Sequence, residues 1–133
     1  MCSSDLGGLG FGLLAFAGGR LTPGFELVAA QVGLAARVAR ADLVVTGEGR
    51  LDEQSLQGKG PVGVARLARQ HGKPVLGVAG AIADSAELRA QFDVLLGIKP
   101  AAMPLPEAMA RTAELLVAAL RAQAPALRAL RRG

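Results

Sequence analysis

The run from Asp42 to Gly80, DLVVTGEGRLDEQSLQGKGPVGVARLARQHGKPVLGVAG, decides the fold. It opens on DLVVT, Asp42 to Thr46, whose apolar, β-branched centre is continuous rather than alternating, the pattern of a strand buried on both faces. A polar, glycine-containing loop follows. Pro61 stands where a first helical residue is favoured, and VGVARLARQHG predicts a helix to about His71, closed by Gly72. Lys73 and Pro74 lead into VLGVAG, a second buried strand. A strand, a crossover helix and a second strand imply parallel pairing with a right-handed connection.

Working outward, the apolar residues from Leu9 to Ala17 are nearly continuous and stop at Gly18 and Gly19, which predicts a buried helix with a glycine cap. Pro23 opens a second helical run with Phe25, Val28, Ala29, Val32 and Ala36 on one face and Gly33 as a break. On the other side of the core segment, Asp84 or Ser85 caps a short helix through Ala90, and Val94 to Ile98 makes a third strand. A long amphipathic helix starts at Pro104 to Pro106, keeps Met109, Ala113, Leu116 and Leu120 together, and is kinked or ended near Pro125. The expected fold class is α/β, with helices layered on a parallel sheet.

The totals agree with one such unit. A chain of 133 residues is long enough for one core and short for two. It is 51% hydrophobic with four aromatics, all Phe, so burial rests on many small aliphatic contacts, and disorder is excluded. The net charge is +4, and twelve of the fifteen cations are Arg. They are scattered until the loose group Arg121, Arg128, Arg131 and Arg132, which suits a helix carboxyl terminus. With no aromatics interleaved for base stacking, no nucleic-acid partner is expected. The single cysteine, Cys2, makes no internal disulfide, so a reducing compartment, the cytoplasm, is expected. No apolar run approaches the ~20 residues that span a bilayer, and the basic start of a secretory signal is missing, so no membrane partner is expected.

In an open parallel sheet the ligand crevice lies beyond the carboxyl ends of the strands. The loop after Thr46 is the one rich in functional groups. Glu48, Arg50, Asp52, Glu53, Gln54, Ser55 and Lys59 fall within twelve residues, with Gly47, Gly49 and Gly58 permitting close backbone approach. Carboxylates hold magnesium or orient a hydroxyl, and Arg and Lys neutralise phosphate oxygens, so this mixture points to phosphoryl transfer. The bland alternative is a solvated loop closing ion pairs on itself. Gly58, Lys59 and Gly60 precede the helix opened by Pro61, where backbone amides and the helix dipole favour an anion. The loop is not a Walker A motif, because its spacing and following hydroxyl are missing. Gly7, Gly8, Gly10 and Gly12 fail the dinucleotide pattern at Leu13, and no strand precedes them.

Three stretches, AGGRLTPGFELV, the long run from Ala41 to Gly80 and the strand from Asp93 to Ile98, together resemble class I glycerate kinases. The pattern T-G-E-G-R-x-D-x-Q-[ST]-x-x-G-K followed by P-x-G-V-A is specific, and the likeness runs from Gly7 to about Leu120. The resemblance implies ATP-dependent, magnesium-assisted phosphorylation of D-glycerate to 2-phosphoglycerate, in a three-layer Rossmann-like domain carrying an inserted second domain. That insertion and the family's D-S-F-K-G and G-S-A-T-N-D-G-G segments do not occur in this sequence. Residues 1–6 are therefore expected to be a leader outside the family pattern, and residues 7–133 an incomplete carboxyl-terminal portion, inactive alone. Carried over residue by residue, the resemblance assigns Glu48, Arg50 and Asp52 to the catalytic centre. Asp52 is the preferred base or Mg2+ partner. Gly47, Gly49, Gln54, Ser55, Gly58 and Lys59 bind or position substrate and phosphate. The alternative is a non-catalytic Rossmann-like nucleotide-binding fragment. The oligomeric state stays open, a homo-oligomer included.

Overall fold

Three parallel strands in the order β1-β2-β3 carry the molecule, and the register of the first two is what aims the polar segment. The computed structural model describes residues 8–58 and 60–130. The expected leader at residues 1–6, Gly7, Lys59, Arg131 and Arg132 lie outside the described residues. In chain order the elements are α1 (Leu9–Ala17), α2 (Gly24–Gln31), α3 (Leu34–Ala39), β1 (Val44–Leu51), a 3-10 turn (Glu53–Gln57), α4 (Gly60–Gln70) and β2 (Val75–Ile82). After them come α5 (Ala86–Arg89), β3 (Val94–Gly97), α6 (Leu105–Ala110), α7 (Thr112–Ala122) and α8 (Ala124–Leu130). This is an α/β fold matching part of a Rossmann-like domain.

The central unit follows from its small side chains. Helix α4 buries Val62, Ala65 and Ala68, and these pack in one core with Val44, Leu51, Val75 and Ala79 of the sheet. Alanines let the helix axis come close to the strands, and fully burying a single Leu or Val such as Leu51 or Val62 contributes about 1.5–3 kcal/mol. Gly72 ends α4 with φ +64, and the Lys73 amide donates back to the Ala68 carbonyl at 2.9 Å, the closing bond that a glycine in this conformation permits. The predicted break at Gly33 is also present, with φ +62 between α2 and α3.

Several expectations are corrected. β1 does not stop at Thr46 but runs to Leu51, because Glu48, Arg50 and Leu51 continue to pair with Ala79, Ala81 and Ile82. Gly47 bounds the expected strand; in the fold it serves close strand approach, whereas the Cβ position of Gly49 is open. A Cβ on Gly47 would lie 2.1 Å from the Val78 carbonyl oxygen, and one on Gly80 would lie 2.6 Å from that of Gly49. Nor is β1 buried on both faces: Val44 is buried while Val45 is 59% exposed, since β1 is the edge of the sheet and α4 covers only the Val44 side.

Helix α1 forms where expected, with the Gly19 amide donating to the Leu13 carbonyl at 2.9 Å, yet it is not buried. Only Gly10 is enclosed, and Phe16 is 88% exposed. A helix apolar all round needs neighbours on every side, and no described element wraps this one. The predicted long last helix is three pieces, broken at Arg111 and Gln123, where φ is −105 and −96. The breaks turn the buried face to Ala108 and Leu115 and leave Met109 exposed. Pro125 falls in the first turn of α8, where proline is tolerated. Ser85 is the cap of α5, its Oγ accepting from the Leu88 amide at 3.2 Å.

Candidate functional site

The polar residues are distributed between the end of β1 and the turn that follows it. Glu48 and Arg50 stand on the strand, and Asp52 is the first residue beyond it. The chain then closes a 3-10 turn because Asp52 and Ser55 cap it reciprocally. The Asp52 Oδ1 accepts from the Gln54 amide at 3.0 Å, and the Asp52 amide donates to Ser55 Oγ at 3.3 Å. Such Asx and Ser bonds to nearby backbone favour turns over continued strand. Gly58 ends the turn at φ +88, a conformation that favours glycine.

Ser55 ties this turn back to the strand. Its Oγ donates to Glu48 Oε1 at 2.7 Å, and it is only 3% exposed. Arg50 Nε lies 3.5 Å from Asp52 Oδ2, with 73% of the Arg side chain and 35% of the Asp side chain exposed. An ion pair so long and open holds its partners weakly. The result is a connected group: Arg50 to Asp52, Asp52 backbone to Ser55, Ser55 to Glu48. It lies at the carboxyl end of a parallel strand, where ligand crevices of open α/β sheets form.

Of the expected site residues, the fold brings Glu48, Arg50, Asp52, Gln54 and Ser55 together. Gly47 sits against the Val78 backbone, whereas the Cβ position of Gly49 is open. Gly58 borders a different feature, an open hollow of about 540 Å³ between α2, α3 and α4 whose lining includes Phe25, Gln57, Gly63 and Arg66. Glu48, Arg50 and Asp52 do not line it. Arg66 Nη2 donates to the Leu56 carbonyl at 2.9 Å and so pins the turn to α4. Sequence reasoning passed over Arg66, which reads as an ordinary charge on an amphipathic helix. It also passed over Lys99, just after β3 at the same end of the sheet, whose amide donates to the Gly80 carbonyl and whose Nζ reaches the Pro100 carbonyl at 3.2 Å.

Among the described residues no group of three His, Cys, Asp or Glu is gathered as a metal cage. Magnesium does not require one: it keeps several waters and takes one or two carboxylates together with substrate phosphates. The carboxylates of Glu48 and Asp52 are of that kind, and the loose Arg50 contact is easily exchanged. No helix among the described residues is long and apolar enough to cross a membrane.

A parallel α/β unit with a polar group at its strand ends is the class these observations define, and comparison supplies the family. The family model for the glycerate kinase family matches residues 3–128, and the chain belongs to that family. It is 43% identical over 117 residues to a glycerate kinase of Halalkalibacterium halodurans, covering 86% of this chain and 31% of the relative. With the Bacillus subtilis glycerate kinase it shares 42% over 110 residues, 81% of this chain and 29% of the other. With the Escherichia coli glycerate 2-kinase it shares 46% over 78 residues, 59% of this chain and 20% of the other. A crystal structure carried under the name glycerate kinase 2, from Salmonella typhimurium LT2, superposes with a TM-score of 0.68 at 36% identity, covering 96% of this chain and 33% of that one. The chain thus spans between a fifth and a third of the length of these relatives.

Proposed function

We propose that this chain supplies one wall of a glycerate kinase site, in a protein that transfers the γ-phosphoryl group of ATP to the 2-hydroxyl of D-glycerate. The observation that carries the reading is the linked set Arg50, Asp52, Ser55 and Glu48 at the carboxyl end of β1. Phosphoryl transfer asks a protein mainly for positioning and charge neutralisation. On this reading Glu48 or Asp52 accepts the hydroxyl proton as the glycerate oxygen attacks phosphorus. Arg50 meets the carboxylate of glycerate or the charge growing on the phosphoryl oxygens. The Asp52 and Glu48 carboxylates are the residues that would hold a Mg2+ ion together with the phosphates, where its charge would offset that of the phosphoryl oxygens. Gln54 and Ser55 position the turn, and in the sequence Gly58 and Lys59 precede α4, a helix start being where phosphate is favoured. The remaining walls, including most of the ATP site, belong to the part of the family length that this chain does not span, and the working location is the cytoplasm.

The test is a graft in which this chain replaces the matching third of the Bacillus subtilis relative, assayed beside the chain alone by coupled detection of ADP. Glycerate-dependent ATP consumption by the graft, absent from the chain alone, is expected. Asp52→Asn in the graft should remove most of the turnover while the melting temperature is kept. Full turnover from that variant sinks the role of Asp52, and ATP binding without any effect of glycerate would favour a nucleotide-binding module instead.

A further inference from the structure

Resting on the kinase reading, we infer that Ser55 is a positioning residue for Glu48: it fixes one carboxylate oxygen of Glu48 and leaves the other to face substrate. The proton direction follows from valence. A hydroxyl has one proton to give, and the Asp52 amide already donates into Ser55 Oγ at 3.3 Å, so that proton is directed to Glu48 Oε1 at 2.7 Å. Ser55 is the one buried polar side chain among the described residues, 3% exposed, and both its bonds are internal. It is therefore placed to act through Glu48 rather than on a ligand.

The two carboxylates differ in what they have left. Asp52 is engaged at Oδ1 by the Gln54 amide and at Oδ2 by Arg50. Glu48 is engaged at Oε1, and among the described residues its Oε2 takes no hydrogen bond or ion pair. A Glu side chain has several rotatable bonds and, untethered, spreads over many rotamers. Tethered at one oxygen it is held in a single orientation, and loss of about 1 Å of placement costs on the order of 10²-fold in rate.

The experiment is a double-mutant cycle in the grafted kinase, with kcat and KM for glycerate and ATP measured for Ser55→Ala, Glu48→Gln and the pair. Ser55→Ala is expected to lower kcat ~10- to 100-fold with KM for ATP within about twofold. In the Glu48→Gln background the same change should alter kcat less than about twofold, because the group it positions has lost its charge. Loss of stability from Ser55→Ala, read by thermal unfolding, should be smaller in the Glu48→Gln background, where the hydroxyl meets a neutral acceptor. The inference is overturned if Ser55→Ala lowers kcat by the same factor in both backgrounds, or leaves it unchanged beside an impaired Glu48→Gln. Wild-type kcat in Glu48→Gln alone instead removes Glu48 from the kinase reading itself. Should Ser55→Ala fail to fold, Ser55→Cys, of similar volume and with a weaker donor, carries the same cycle and the same criteria.

Discussion

Asp93 holds Val75 by both of its backbone polar groups: the Asp93 Oδ2 accepts from the Val75 amide at 2.7 Å, and the Asp93 amide donates to the Val75 carbonyl at 3.0 Å. Val75 is the first residue of β2, and Asp93 immediately precedes β3. One residue thereby sets where the two strands start relative to each other.

Removing that carboxylate leaves the buried Val75 amide without its acceptor. Asp93→Ala should cost about 1–3 kcal/mol, and Asp93→Asn, which keeps an acceptor, clearly less. Urea denaturation followed by circular dichroism checks the order. Equal midpoints for the two variants would show that the carboxylate carries no register.

Gly47 and Gly49 should respond oppositely although they are two positions apart in one strand. Gly47→Ala forces a methyl into the Val78 carbonyl and should cost about 1–3 kcal/mol or more, whereas Gly49→Ala meets open space and should stay within ~1 kcal/mol. The same denaturation series decides it.

A sign change is expected at the contact of α2 with α4. A Cβ on Gly63 would lie 2.6 Å from the Phe25 ring, so Gly63→Ala must push that ring away. In a Phe25→Ala background the clash is gone, and the helix preference for Ala over Gly should make the same substitution stabilising by up to ~1 kcal/mol. Destabilisation of similar size in both backgrounds counts against this packing.

Acid should release the ion pairs of Arg111. Its guanidinium bonds hold the Glu114 carboxyl below the usual glutamate range, and Glu114 and Glu107 in turn push the Arg111 guanidinium upward. A depressed carboxyl stabilises the fold above its unfolded value and loses that contribution as pH falls through the folded one. The difference in melting temperature between wild type and Arg111→Met should therefore be constant near neutrality and shrink below about pH 4. A difference that grows on acidification contradicts the pairing.

These sites also mark where sequence was legible. Gly33 and Gly72 announced their turns because a positive φ is a property of one residue. The end of β1 was hidden, since Gly47 and Gly49 break a strand by propensity, and this one continues only because it pairs with β2, with Gly47 fitted against the Val78 carbonyl. Burial of α1 could not be read either: apolarity is written in Leu9 to Phe16, but burial depends on neighbours. For the site, the crowding of charge from Glu48 to Lys59 was plain. That Ser55 reaches back to Glu48 was not, because the turn that brings them together depends on the Asp52 cap.

The Glu48 to Ser55 bond spans only seven positions, whereas the pairing of Val44 with Val75 joins strands across the whole α4 crossover. Short loops close early and at small entropic expense. The chemistry-bearing wall is thus carried by one short run, Glu48 to Ser55, although its strand half takes its form only where Glu48 and Arg50 pair with Ala79 and Ala81 of β2. Such a segment is a cassette: it can be inherited, grafted or repaired as one short stretch of coding sequence, while the sheet beneath it must be assembled from afar.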